Sequence, residues 1–168
     1  MGPKPPPRPD SPPQGRGEAT EKEQGDRART RVLIVEDDSV VRQTFEYAVD
    51  PLGVPFTAVG DGQQALAELR KRDIALVVLD LMLPGISGLR VLEWMSAYAQ
   101  DVPVVVVTGV ENARAVVAHF PNLVRVIQEK PVPLDILRQM VAEFLGLEEG
   151  ADPGRAAGRG AQPAPGLH

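Results

Sequence analysis

The chain has 168 residues, contains no cysteine and carries a formal net charge of −5. The lack of cysteine excludes disulfides, cysteine-ligated zinc and thiol catalysis, and the acidic balance argues against a nucleic-acid-binding surface. No apolar run is long enough to span a bilayer, and the start of the chain lacks the apolar stretch of a signal peptide, so a cytoplasmic protein without membrane partners is expected.

The two ends of the chain differ in composition from its middle. Residues 1–30 hold seven of the 17 prolines, and residues 148–168 are rich in Gly, Ala, Pro and Arg. Neither end has enough apolar surface to offset the entropy cost of ordering it, so both are predicted to be disordered tails. Residues 31–147 are left to form one compact domain.

Five short apolar runs alternate with segments of helical periodicity in this middle part. The runs predict strands at 31–35, 56–60, 74–79, 102–107 and 124–127. The segments between and after them predict helices at 40–49, 61–72, 89–98, 111–120 and 134–146. Continuously apolar strands that alternate with helices are typical of a parallel sheet covered on both faces, here a doubly wound (βα)5 fold of the α/β class.

The polar residues that end the apolar runs all fall at the carboxyl ends of predicted strands: Glu36, Asp37, Asp38, Asp80, Thr108 and, shortly after the last strand, Lys130. Because parallel strands share one direction, these groups are expected to meet at one edge of the sheet. Two carboxylates about 4 Å apart repel by roughly 4 kcal/mol at an effective dielectric constant near 20, so either a cation offsets this repulsion or some of the carboxylates are protonated. Oxygen ligands favour Mg²⁺, and an acid, a metal, a lysine and a hydroxyl are the groups that phosphoryl transfer uses.

The stretches "LIVEDD", "VVLDLMLPG", "VVVTG" and "EKP", in this order and spacing, resemble the receiver domain of two-component response regulators. The resemblance covers about residues 31–147 and implies a flavodoxin-like fold with strand order 2-1-3-4-5. It implies that an aspartate takes a phosphoryl group from a sensor histidine kinase or a histidine phosphotransfer protein. Since only about 20 residues follow the domain, a stand-alone regulator that signals to a downstream protein is expected.

The resemblance gives each polar residue of the phosphoryl-transfer site a role. Asp80 matches the phosphoacceptor, Thr108 the hydroxyl that moves to the phosphoryl oxygen, and Lys130 the lysine that pairs with the phosphate. The Lys130–Pro131 bond matches one that is commonly cis in the family.

The resemblance also implies a Mg²⁺ site next to the phosphoacceptor. Glu36 and Asp37 match the acidic pair of that site, with Asp37 as the direct ligand, and Asp80 shares the ion. Met82 matches the residue whose backbone carbonyl completes the site. Asp38 follows the acidic pair and is not expected to be a ligand.

Ile127 departs from the family pattern, which usually has Tyr or Phe three residues before the lysine. This departure leaves open an alternative function, a protein-interaction module that keeps the fold but does not respond to phosphorylation. A phosphohydrolase of the haloacid-dehalogenase type would also use an aspartyl phosphate, but it requires a second Asp where this chain has Met82. The chain is therefore expected to be a switch rather than an enzyme.

Overall fold

The computed structural model of the protein describes residues 28–147, so the two predicted tails lie outside the described residues except for 28–30. The strands are β1 Arg31–Val35, β2 Phe56–Val59, β3 Ile74–Leu79, β4 Val104–Thr108 and β5 Val124–Glu129. The helices are α1 Ser39–Val49, α2 Gly62–Leu69, α3 Gly88–Tyr98, α4 Ala113–Val116 and α5 Leu134–Phe144, and a 3₁₀ turn, Asp50–Leu52, follows α1. None of the described helices is long and apolar enough to cross a membrane.

The five strands form one parallel sheet in the order β2-β1-β3-β4-β5, which confirms the predicted fold. Val35 at the end of β1 pairs with Leu79 at the end of β3, and Leu79 pairs with Val106 of β4. Residues that follow β1 and β3 therefore leave the sheet at the same level. This register brings the loops after these strands together at the carboxyl edge.

Helices cover both faces of the sheet and bury its apolar side chains. On one face α1 and α5 pack against the strands through residues such as Phe45 and Leu137. On the other face α2, α3 and the segment after α4 pack through Leu69, Met95 and Val117. Burial of each such side chain contributes roughly 1.5–3 kcal/mol, so the two layers of helices hold the sheet edge in place.

The ends of several helices follow signals that are visible in the sequence. The Asp61 carboxylate accepts from the N–H of Gln64 at 2.7 Å and caps α2, and the Asp38 carboxylate caps α1 through the N–H of Val40 at 2.8 Å. Gly146 has a φ of 65° just past α5, a backbone conformation that glycine adopts without steric cost.

The prediction of a helix over 111–120 is wrong in extent, because α4 forms only one turn. Asn112 has a φ of 55°, so the helix cannot begin before the next residue. The β-branched Val116 and Val117 that follow have low helix propensity. Val117 is buried against the sheet, so core packing rather than helical hydrogen bonding fixes the rest of this segment.

Strands β4 and β5 are shifted or extended relative to the predicted runs. The prediction began β4 at residue 102, but Pro103 has no N–H to donate to the ladder, and the strand begins after it. Thr108, which the sequence places at the carboxyl end of this strand, is the last residue of β4 and pairs with Glu129. That pairing extends β5 two residues beyond its predicted end.

Two helix-start glycines permit close contact with the loop that follows β3. A Cβ added to Gly88 would lie 2.3 Å from the backbone oxygen of Asp80, and one added to Gly62 would lie 2.1 Å from that of Ile86. The first turns of α2 and α3 therefore press directly on this loop and leave it little freedom.

Replacement of Gly88 by alanine is expected to lower the free energy of unfolding by about 1–3 kcal/mol, because the backbone of the β3–α3 loop must shift to admit a methyl group. Urea unfolding followed by circular dichroism measures the change. Gly109→Ala is the matched control, since nothing lies within 4 Å of a Cβ at that position. Equal unfolding midpoints for the two variants would contradict the close contact.

Candidate functional site

Asp80 lies at the carboxyl edge of the sheet, directly after β3. Its N–H donates to the carbonyl of Val35 at 3.0 Å, which continues the ladder between β1 and β3 and fixes the residue beside the end of β1. The residue is only 4% exposed. A carboxylate buried to this extent requires charged or hydrogen-bonding partners.

Both oxygens of the Asp80 carboxylate have such partners. Oδ2 accepts from the ammonium group of Lys130 at 2.7 Å, and Oδ1 accepts from the backbone N–H of Met82 at 3.0 Å. The Met82 side chain points away from this role, since the residue is 64% exposed. The backbone after β3 thus orients the Asp80 carboxylate from one side, and Lys130 orients it from the other.

Glu36 is a second buried carboxylate on the same lysine. It is fully buried, and its Oε2 lies 2.6 Å from Nζ of Lys130. Its Oε1 accepts from the backbone N–H of Asp38 at 3.1 Å. Lys130 therefore bridges two carboxylates that come from separate strands, β1 and β3.

Burial and the neighbouring charges act in opposite directions on the pKa values of Glu36 and Lys130. Burial raises the pKa of Glu36 above its ordinary value, and the hydrogen bond from Lys130 offsets this only in part. Burial alone would lower the pKa of Lys130, but hydrogen bonds to Asp80 and Glu36 together raise it. The lysine thus stays protonated at neutral pH and serves as the resident cation of the pocket.

Three carboxylates converge at this edge. Glu36, Asp37 and Asp80 each offer an oxygen, and these atoms lie within 4.8 Å of one another. One ammonium group cannot neutralise three carboxylates, and Asp37 is exposed, so the cluster could hold a divalent cation that arrives from solvent. An all-oxygen donor set suits a hard cation such as Mg²⁺, which keeps several waters and takes few carboxylates.

Lys130 follows β5 and reaches the pocket, and Thr108 lies at the same carboxyl edge, at the end of the neighbouring strand β4. Thr108 is fully buried at the end of β4, and its carbonyl accepts from the backbone N–H of Lys130 at 3.0 Å. Its hydroxyl oxygen accepts from the N–H of Val110 at 3.3 Å. The Lys130–Pro131 bond is cis. The sequence-predicted residues are therefore neighbours along one edge.

Arg42 is a contributor to the site that the sequence analysis did not identify. Its Nη1 donates to the carbonyl of Glu36 at 2.7 Å and to the carbonyl of Asp37 at 3.2 Å. The arginine thereby braces the loop that carries the acidic pair. Its position one turn after the Asp38 cap is the sequence signal that could have identified it.

Ile127 lies on β5, half-buried, and packs against the apolar core on the α2–α3 side of the sheet. It is next to a concavity lined by residues of α4 and β5. The aliphatic side chain of Ile127 contacts the core in this structure. The position that departs from the family pattern is thus a packing position in this structure.

Fold and site together define a class of signalling domain, a doubly wound α/β domain whose carboxylates meet a lysine at the carboxyl edge of its sheet. The model of the response regulator receiver domain family matches residues 32–142. The chain belongs to this family, and hence to two-component signalling.

Relatives and solved structures agree with this membership. The sensory transduction protein RegX3 of Mycolicibacterium smegmatis is 43% identical over 80 residues, which are 48% of this chain and 35% of that protein. The C4-dicarboxylate transport transcriptional regulatory protein DctD of Pseudomonas aeruginosa is 30% identical over 118 residues, or 70% of this chain and 26% of that protein. The chain thus spans about a third or less of the length of these curated relatives.

A solved receiver structure has the same fold. The signal receiver domain of a LuxO repressor protein from Vibrio parahaemolyticus superposes with a TM-score of 0.64 and 28% identity, over 70% of this chain and 91% of that one. The shared region is the domain formed by β1 to α5.

Loss of the Lys130 charge is expected to make the free energy of unfolding depend more strongly on pH than it does in the wild type. In Lys130→Gln the buried carboxylates lose their cation, so the pKa of Glu36, which burial already raises, rises further above its value in the unfolded chain. A carboxyl group whose pKa is raised in the folded state stabilises the fold at acid pH, and this stability is lost as the pH rises. The free energy of unfolding of Lys130→Gln should lie about 3 kcal/mol below that of the wild type at pH 8. This difference between variant and wild type, the gap, should narrow toward pH 5.

Urea unfolding in the presence of EDTA measures this gap. Lys71→Gln serves as the control, because the Lys71 side chain is 55% exposed and its pair with Glu68 should change little between pH 8 and pH 5. A gap for Lys130→Gln that stays constant over this range would contradict the claim that Lys130 neutralises the buried carboxylates.

Divalent-cation binding is expected to depend on Asp37 but not on Asp38. Asp37→Asn should weaken Mg²⁺ binding by about tenfold or more, because it removes one charged ligand. Asp38→Ser keeps an N-cap for α1 and should leave the affinity within about threefold of the wild type. Isothermal titration calorimetry of the folded variants measures both. Equal losses would show that net charge, not ligation, attracts the ion.

Proposed function

We propose that the protein is a phosphorylation-operated switch, in which Asp80 takes the phosphoryl group from a phosphohistidine of a sensor histidine kinase or of a histidine phosphotransfer protein. The observation that carries this proposal is the Lys130 ammonium group, 2.7 Å from Asp80 and 2.6 Å from Glu36 in a buried acidic pocket. A cytoplasmic location is part of the proposal, as is a protein as the downstream target.

In the transfer step an oxygen of Asp80 bonds to phosphorus, and the bond from phosphorus to the histidine nitrogen breaks. The electron pair of that bond returns to the imidazole ring. Glu36, Asp37, Asp80 and the carbonyl of Met82 would hold Mg²⁺, and the bound ion would supply neutralisation of charge on the phosphoryl oxygens. The product is an acyl phosphate, which carries nearly two negative charges where the carboxylate carried one, so the pocket gains about one negative charge.

Lys130 and Thr108 respond to this added charge. The ammonium group of Lys130 already lies on Asp80, so it can pair with a phosphoryl oxygen after a small movement. The hydroxyl of Thr108 makes a long contact of 3.3 Å with the N–H of Val110. Loss of that contact lets the hydroxyl donate to the phosphoryl group, and the loop after β4 follows it.

The partner surface next to the pocket is apolar in part. Val40 in the first turn of α1 and Met82 after Asp80 are 72% and 64% exposed. Exposed apolar side chains beside a charged pocket suit a docking protein better than a small substrate. Residues 31–147 have ten Lys/Arg against fifteen Asp/Glu, which also favours a protein over a nucleic acid as the partner.

A second candidate is the interaction module that does not respond to phosphorylation. The half-buried Ile127 favours it, because an aliphatic side chain that stays in the core cannot report the phosphoryl group by turning inward. Hydrogen exchange of α4 and β5 with and without beryllofluoride and Mg²⁺ separates the candidates. A change in protection supports the switch, and identical exchange supports the module.

Phosphorylation is expected to require Asp80 and Mg²⁺. With labelled acetyl phosphate and Mg²⁺, the wild type should incorporate about one phosphoryl group, and Asp80→Asn should incorporate none, because an amide oxygen does not form a stable acyl phosphate. Asp101→Asn is the control, since that aspartate is exposed at the other edge of the sheet. Label retained by the Asp80 variant would overturn the assignment.

A further inference from the structure

A cleft lies at the amino edge of the sheet, on the opposite side of the domain from the acidic pocket. It opens between the C-terminal ends of α2 and α3 and encloses about 160 Å³. Its floor consists of the buried side chains of Leu69, Ile74 and Val102. The floor is thus apolar and belongs to the core.

Two aromatic rings form one wall of this cleft. The ring centroids of Trp94 and Tyr98 are 5.1 Å apart, and the planes are tilted by 39°. Tyr98 is 70% exposed although it is a large aromatic residue. Trp and Tyr are enriched among the residues that contribute most to protein interfaces.

Arginines surround the rim. The guanidinium group of Arg70 lies 5.8 Å from the centroid of the Trp94 ring. Arg29 is paired with Asp101, but within residues 28–147 neither Arg70 nor Arg72 forms an ion pair. Both are exposed, so an acidic chain presents two unpaired positive charges beside an apolar cavity.

We propose that this cleft docks an acidic peptide segment of a partner protein. One apolar side chain of the segment enters against Trp94, and flanking carboxylates bind Arg70 and Arg72, whose planar guanidinium groups match carboxylates. The enclosed volume fits one side chain and is smaller than the roughly 300–1,000 Å³ of typical small-molecule sites, which argues against a nucleotide.

This docking goes beyond the phosphorylation switch and does not depend on it. The cleft and Asp80 lie at opposite edges of the sheet, so binding should be the same in Asp80→Asn as in the wild type. Equal binding by Asp80→Asn supports a constitutive dock. Failure of the peptide to bind the wild type would leave the assignment of Asp80 untouched.

Trp94 is the single tryptophan of the chain, so its fluorescence reports on the cleft directly. The probe is the synthetic peptide acetyl-Glu-Glu-Leu-Glu-Glu-amide, titrated into the full chain. A saturable change in Trp94 emission is expected. A peptide with Gly in place of Leu, and a peptide with Lys in place of Glu, should each bind at least about tenfold more weakly, because each loses one of the two proposed contacts.

Calorimetry with the same peptide tests the arginines without reliance on fluorescence. The double variant Arg70→Gln/Arg72→Gln should lose about tenfold or more in affinity. The matched control Arg114→Gln/Arg125→Gln removes the same charge from exposed positions outside the cleft and should bind like the wild type. Absence of saturable binding, equal losses in the two double variants, or tighter binding of adenosine monophosphate than of the peptide would overturn the proposal.

Discussion

One ammonium group holds the acidic pocket together. Lys130 places its positive charge between two buried carboxylates, Asp80 and Glu36, that would otherwise repel each other in a poorly solvated space. Since the pKa of Lys130 is raised by these partners, the charge persists at neutral pH. The same group is positioned to pair with a phosphoryl oxygen, so the contact that stabilises the resting pocket also prepares it for the proposed chemistry.

This interaction depends on the register of the whole sheet. Asp80 and Glu36 leave neighbouring strands at one level because the last residues of β1 and β3 are paired. Lys130 arrives from the edge strand β5 through the pairing of Thr108 with Glu129 and the hydrogen bond from its own N–H to the carbonyl of Thr108. A shift of one residue in either pairing would move these side chains to the wrong level or face.

Much of this arrangement can be predicted from the sequence, because the order of apolar runs and the polar residues at their ends is local information. The length of α4 could not, since it depends on the left-handed backbone of Asn112 and on the burial of Val117. Nor could the cleft beside Trp94. These features arise from residues distant in sequence or from side-chain directions that no periodicity encodes.

The most direct measurement is a crystal structure of the protein with Mg²⁺ and beryllofluoride, which mimics the phosphoryl group. We expect the ion to bind oxygens of Asp37 and Asp80. We also expect beryllium to bind an oxygen of Asp80, and the Lys130 ammonium group to donate a hydrogen bond to a fluorine. An ion bound elsewhere, or beryllofluoride attached to another carboxylate, would contradict the claim that these strand ends build one phosphoryl-accepting pocket.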